Sequence, residues 1–137
     1  MSYLRQELPP ITLSAGECDR LRRLVDAAAD PSQKTVAFLT REIERADVVD
    51  PSQIRRGLVM MGSEVEFRDD STMKVRRVIL VYPNEADVDA GKISVMTPIG
   101  AALIGLSAGQ SIEWELPSGG WRSLTVLDVG ETGPNAA

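Results

Sequence analysis

The apolar residues of this chain change their period once, and the change divides it. From Ser14 to Ala46 they recur every three or four positions, and beyond Gly57 they recur at every second one. A period near 3.6 lines one face of a helix, whereas a period of two lines one face of a strand. The chain is therefore expected to open with helices and continue as a sheet, with the boundary near residues 50–57: a helical part at 1–52 and a sheet part at 53–137. That pattern is an α+β protein of two unequal parts.

The helical part holds two segments. Ser14-Ala15-Gly16-Glu17 has the form of a capping box, in which the Ser hydroxyl caps backbone N–H groups and Glu reaches back from three residues on. Cys18, Leu21, Leu24, Val25 and Ala28 follow as one apolar stripe, opposite a face carrying Asp19, Arg20, Arg22, Arg23 and Asp26. This helix is expected to run from about Ser14 to Ala29 and stop at Asp30-Pro31. Pro31 or Ser32 opens a second helix, whose stripe is Val36, Leu39, Ile43 and Ala46. Matched stripes across a short break predict an antiparallel helical hairpin. Asp50-Pro51 stops the second helix or starts one extra turn through Ile54.

In the sheet part Val65 and Phe67 alternate with Glu64, Glu66 and Arg68, and Asp69-Asp70-Ser71-Thr72 supplies turn chemistry. Val75 to Tyr82 ends in five apolar residues, a pattern that suits a central strand buried on both faces. Ile93-Ser94-Val95 is a short strand. Thr97-Pro98 then reads as an N-cap followed by Pro in the first helical position, opening a short helix with Ile99 and Leu103 that Gly105 ends. Ile112, Trp114 and Leu116 alternate in a further strand. Pro117-Ser118-Gly119-Gly120 turns the chain into a last one, Trp121 to Val129, and a loose tail follows from Gly130.

Composition removes whole classes of chemistry. The 137 residues contain no His and one Cys, so Ser-His-Asp and Cys-His catalysis, His-ligated zinc and intrachain disulfides are all excluded. Cys18 reads as a packing residue. The net charge is −5, and an acidic chain lacks the cationic surface that wraps nucleic acid. Arg20, Arg22, Arg23, Arg55, Arg56, Lys74, Arg76 and Arg77 are interleaved with acids and lack aromatics for base stacking. A protein partner is expected, without direct sequence-specific nucleic-acid binding. Glu85, Asp87, Asp89 and Gly91 only begin a calcium-loop spacing, because Pro98 stands where the bidentate Glu belongs. Gly105 and Gly109 have Walker-like spacing without the following Lys-Ser/Thr. No metal or cofactor is expected. No apolar run reaches the ~20 residues that cross a bilayer, and the N-terminus lacks a signal-peptide core, so a cytosolic location is expected.

The segment Ile93-Ser94-Val95-Met96-Thr97-Pro98-Ile99-Gly100-Ala101-Ala102-Leu103-Ile104-Gly105 resembles the C-terminal signature of the Gre family of transcription factors, I-S-V-x-S-P-I/V-x-x-A-L-I/L-G. It stays in register through Gly109 and Ile112 to Leu116-Pro117-Ser118-Gly119-Gly120, and upstream Val59 to Val65 is similar to the strand that opens that domain. Leu80-Val81-Tyr82-Pro83, Ser94-Val95-Met96 and Trp114-Glu115-Leu116-Pro117 are similar to the Rnk branch, the regulators of nucleoside diphosphate kinase. The resemblance covers nearly the whole chain. It implies an FKBP-like C-terminal domain behind a short antiparallel coiled coil. It also implies binding to RNA polymerase at the rim of the secondary channel, in competition with Gre factors. FKBP-like does not imply prolyl isomerisation, which uses an aromatic-lined pocket; aromatics are 4% here.

In Gre factors a polar residue, Ser and Pro contact the polymerase, and this triplet falls here on Met96, Thr97 and Pro98. Met96, Thr97, Pro98 and Ile99 are the expected partner-binding residues, with plain core packing as the competing account. At the hairpin tip Asp26 and Asp30 stand near where Gre factors carry two metal-holding acids. Helix-end capping and solvation is the default account of both. A helix of the expected length spans roughly 24 Å, short for a Gre finger. The implied function is a non-enzymatic polymerase-binding regulator that affects nucleoside diphosphate kinase levels through transcription. The alternatives are a transcript-cleavage factor using Asp26 and Asp30, or a dimeric interaction module with no polymerase role; the sequence fixes no oligomeric state.

Overall fold

The computed structural model describes residues 8–28, 30, 33–115 and 119–130. Strand β1 (Thr12–Ser14) runs directly into helix α1 (Ala15–Asp26), and helix α2 (Lys34–Arg45) leads into strand β2 (Asp47–Val49). β1 and β2 pair in parallel, with Leu13 opposite Val48. Parallel neighbours need a crossover connection, and here the two helices supply it. The periodicity shows neither of these three-residue strands.

The Ser14 hydroxyl caps α1 by accepting the Glu17 N–H at 3.2 Å. The reciprocal half of the expected box is not made. Glu17 instead turns toward the sheet part, where its carboxylate accepts the Met61 N–H at 3.0 Å. α1 ends at Asp26, closed by the Ala27 N–H on the Arg23 carbonyl. It is thus 12 residues and roughly 18 Å long, not the ~24 Å expected. The two helices pack on each other through Leu21 and Val25 of α1 and Val36, Leu39 and Ile43 of α2, all buried. Leu24 departs from expectation. It sits at the edge of the stripe and is only half-buried, because the facing turn at Tyr82–Asn84 leaves a groove beside it. Cys18 is buried in the core. After β2, Asp50 and Gln53 cap each other around a single 3-10 turn, Pro51–Gln53, which is the extra turn expected there.

The sheet part contains β3 (Glu64–Asp69), β4 (Lys74–Val81), β5 (Lys92–Ser94), helix α3 (Pro98–Leu103), β6 (Ser111–Glu115) and β7 (Trp121–Val129). The strand order is β5-β4-β3-β7-β6. All neighbours are antiparallel except β4 and β5, which run parallel, so the sheet is mixed and not wholly antiparallel. β4 is also not buried on both faces. It lies next to the edge, its first four residues are exposed, and only its C-terminal half enters the core. The opening strand starts at Glu64, later than expected, because residues 60–63 form a turn in which the Ser63 hydroxyl accepts the Met60 N–H. The expected strand residue Leu116, the turn residues Pro117 and Ser118, the helix start at Pro31-Ser32 and the tail from residue 131 lie outside the described residues.

Alternation decides which sheet face is wet. Glu64, Glu66, Arg68 and Arg77 are partly or fully exposed on one face, with Arg77 near Glu64 and Glu66. Val65, Phe67, Val78, Leu80, Leu124 and Val126 fill the other. α3 and the helix pair lie on the apolar side, and one hydrophobic cluster runs from Leu21 and Leu39 through Leu103 to Phe67.

Candidate partner-binding surface

The segment carrying Met96, Thr97, Pro98 and Ile99 is the corner where β5 hands over to α3. Local chemistry sets its shape. The Thr97 hydroxyl donates to the Ser94 carbonyl at 2.7 Å and accepts the Gly100 N–H at 3.1 Å, capping α3. The Thr97 N–H also reaches the Ser94 carbonyl, and the Met96 N–H reaches the Ser94 hydroxyl, both at 3.0 Å. Pro98 in the first helical position has no N–H to satisfy and a φ already suited to a helix. The backbone of the corner is therefore held almost wholly by its own bonds. Val95 anchors it from below, fully buried, with its N–H on the Val81 carbonyl at 2.9 Å.

Gly100 allows the close approach. A Cβ there would lie 2.1 Å from the Ser94 carbonyl oxygen, so only glycine lets α3 sit this low against the strand end. Met96, Thr97, Pro98 and Ile99 are each half-buried, and Met96 and Ile99 pack against the rim of the core. The structure thus gathers all four into one partly exposed, largely apolar patch.

Asp26 and Asp30 lie elsewhere, at the far end of α1 and in the connection after it; both are exposed. Among the described residues no group of three or more His, Cys, Asp or Glu is placed to hold a metal ion, and no helix is long and apolar enough to cross a membrane.

Two buried acidic residues that periodicity passed over hold the structure together, one within the helical part and one across to the sheet part. Glu42 is 1% exposed and holds Arg45 in a two-pronged pair, at 2.7 and 2.8 Å. Arg45 also donates to the Pro9 carbonyl, fixing the N-terminal segment. A carboxylate three residues after stripe residue Leu39 and three before an Arg is the signal that marks this pair. Glu17 is the second: burial pushes its carboxyl above the ordinary value, opposed by the Met61 N–H and by Arg20. One of its oxygens is buried without a hydrogen bond.

The model for the C-terminal domain of the transcription elongation factors GreA/GreB matches residues 54–131, and the model for the Rnk N-terminus matches residues 9–49. The chain belongs to the GreA/GreB family. Within it the Rnk branch fits along nearly the whole length. The regulator of nucleoside diphosphate kinase of Escherichia coli (strain K12) is 37% identical over 129 residues, 94% of each chain. GreA of Beijerinckia indica is 36% identical over 94 residues, 69% of this chain but only 59% of that factor. Among solved structures, the GreA/GreB elongation factor from Nitrosomonas europaea superposes with a TM-score of 0.70 at 36% identity, covering 90% of this chain and 99% of the other. The relatives are named as regulators or elongation factors. Helices followed by a sheet, the α+β class expected from the sequence, is the architecture this GreA/GreB-family chain has.

Proposed function

We propose that this member of the Rnk branch is an RNA polymerase-binding transcription regulator. It occupies the rim of the secondary channel, competes there with Gre factors and does not itself stimulate transcript cleavage. In this reading the sheet part is an FKBP-like gripping domain, and α1 with α2 is a short antiparallel hairpin directed toward the channel. Any effect on nucleoside diphosphate kinase then runs through transcription.

The observation that carries the proposal is the combination of a Gre-type C-terminal domain, residues 54–131, with a first helix of only 12 residues. The first gives the grip and the second shortens the reach to roughly 18 Å, with Asp26 at the end of α1 and Asp30 beyond it. The grip is assigned to Met96, Thr97, Pro98 and Ile99. A corner held by its own hydrogen bonds loses little conformational freedom on docking, and its apolar side chains suit a dry contact.

The test uses purified core polymerase. The protein should bind it and displace a Gre factor, and Met96→Asp should weaken binding at least tenfold, about 1.4 kcal/mol, with an unchanged melting temperature. Undiminished binding by that variant moves the contact elsewhere; early melting assigns Met96 to the core. On backtracked complexes with magnesium the protein should leave the transcript uncut. Cleavage that disappears on Asp30→Ala would establish a cleavage factor instead.

A further inference from the structure

A groove of about 530 Å³ opens between α1 and the turn that follows β4, lined by Arg20, Arg23, Leu24, Ala27, Tyr82 and Asn84, with Pro83 between the last two. It is remote in sequence from the corner at Met96–Ile99, and neither the family comparison nor the reading above gives it a role. Its volume falls within the usual range for small-molecule sites, and its lining has the usual make-up, mostly apolar with a few polar groups.

Each wall contributes something distinct. Leu24 on α1, Ala27 at its C-terminal cap and Pro83 opposite make an apolar floor. Tyr82 is half-exposed, yet its hydroxyl oxygen is buried beside Arg20, so what Tyr82 shows to solvent is mainly ring. Arg20 and Glu17 lie close enough to that hydroxyl to act on it: burial raises its pKa first, Arg20 lowers it, and Glu17 and Glu85 raise it further. Arg20 is itself exposed, and a guanidinium carries five N–H donors, so its contact with that hydroxyl leaves others facing the groove. Arg23, one turn further along, is exposed and makes no ion pair among the described residues. Asn84 is exposed on the opposite wall, with an amide that can both donate and accept.

We propose that this groove binds a nucleoside phosphate carrying at least two phosphate groups. Arg20 and Arg23 stand three positions apart on the helix, a rise of roughly 4.5 Å along the axis, which suits two adjacent phosphates. Guanidinium forks match phosphate oxygens in shape as well as charge. An aromatic ring beside an apolar floor takes the face of a base, and the Asn84 amide on the opposite wall can both donate to and accept from a base edge. A fatty acid also joins an anion to an apolar body, but this groove is open to solvent and would leave the alkyl chain wet. The same chemistry arises from a free nucleotide or from the phosphorylated 5′ end of an RNA.

The test is an amide chemical-shift titration of the full-length, nitrogen-15-labelled protein with ADP. Adenosine, pyrophosphate and a short 5′-triphosphorylated oligoribonucleotide form separate arms. Saturating shifts centred on Arg20, Arg23, Leu24 and Asn84 are expected. Adenosine and pyrophosphate should each bind at least tenfold more weakly than ADP. Arg23→Glu should weaken ADP binding at least tenfold with an unchanged melting temperature, and Arg23→Lys should restore part of it. Tighter binding of ADP than of the oligonucleotide supports the free nucleotide; the reverse supports an RNA end. The proposal is overturned if ADP shifts do not saturate, if pyrophosphate alone binds as well as ADP, or if Arg23→Glu changes nothing. It is also overturned if an acidic peptide of equal charge outcompetes ADP, which would give the groove to a protein partner.

Discussion

Two glycines in helices should answer the same substitution with opposite signs. At Gly100 an added Cβ would meet the Ser94 carbonyl oxygen at 2.1 Å, with the Ser94 carbonyl carbon and the Val95 Cα both at 2.9 Å. All three are backbone atoms, so no side chain can swing aside to relieve the clash. α3 must lift from the end of β5, which loosens the Thr97 cap and the packing of Leu103. Overpacking of this kind costs about 1–3 kcal/mol, and the rigid neighbours place Gly100→Ala at the upper end. The gain from replacing a helical glycine, roughly 0.5–1 kcal/mol, offsets only part of it. The net loss should be about 2 kcal/mol, or a melting temperature lower by on the order of 5–10 °C. At Gly16, in the first turn of α1, nothing lies within 4 Å of the added Cβ, so Gly16→Ala should hold or raise the melting temperature. Thermal unfolding of both variants by circular dichroism is the assay. Equal stability of Gly100→Ala and the wild type would refute the close approach of α3 to the strand end, and with it the geometry of the Met96–Ile99 corner.

Leu39→Ala, at a fully buried site, should cost about 2–5 kcal/mol, whereas Leu24→Ala, half in the groove, should cost clearly less; denaturant titration separates them, and equal losses would mean that the groove is closed in solution. Glu17 has a raised pKa in the folded state, chiefly through burial. Its contribution to stability is therefore greatest below the ordinary value of 4.5 and declines as pH rises through the folded value. Glu17→Gln keeps an oxygen for the Met61 N–H and loses the buried charge, so melting temperatures measured upward from pH 4.5 should fall less in the variant. Asp70 has the opposite sign: burial raises its pKa, but hydrogen bonds from Arg68, Ser123 and Thr125 outweigh that and hold it below 3.8. It stabilises above that value and loses the contribution as pH falls further. Asp70→Asn should therefore leave a shallower loss of stability at the acid end.

What the sequence disclosed depends on how far each interaction reaches along the chain. Ser14 and Thr97 are legible caps because each bonds the backbone three residues on. Thr97-Pro98 likewise announces α3, and the corner that holds the candidate contact residues follows from it. The same capping-box pattern misleads at Glu17, whose nearest local bond loses to the Met61 N–H, 44 residues away. Periodicity marks which face of α1 is apolar but not what covers it, so Leu24 reads like Leu21 although only one of them is enclosed. β1 and β2 are too short to show a period, and each exists only because the other is brought beside it by the intervening helices. Parallel pairing of β4 with β5 is invisible for a similar reason: the strand pattern carries no direction, and the connection that sets it holds two 3-10 turns, Pro83–Glu85 and Val88–Ala90. The groove between Arg20 and Tyr82 has walls from opposite parts of the chain, and no local pattern signals it.

The family match changes in one further respect how the helix pair should be pictured. A finger that probes a channel suggests an appendage on a hinge, but here the appendage is bolted down. The Thr12 N–H donates to the Gly105 carbonyl at 3.1 Å, and the Gly105 N–H to the Val59 carbonyl at 3.0 Å. Gly105 has φ near +82° and a Cβ there would press on Ile11 at 3.0 Å, so glycine is what admits β1 so close to the end of α3. Glu17 of α1 accepts the Met61 N–H, the Gln110 amide donates to the Pro10 carbonyl, and the apolar cluster is continuous beneath them. A hinge would have to break the bonds that cross at Thr12, Glu17 and Pro10 and open part of the core at once. For the polymerase-binding regulator proposed above, the tip and the Met96–Ile99 corner are then fixed points on one rigid body. The reach of that body is set by a 12-residue helix and cannot be extended by motion. Lengthening both helices by two turns each, seven residues or about 11 Å, is thus the change expected to bring Asp26 and Asp30 nearer an active centre, and a chain so extended that still leaves backtracked RNA uncut would show that reach was never the missing element.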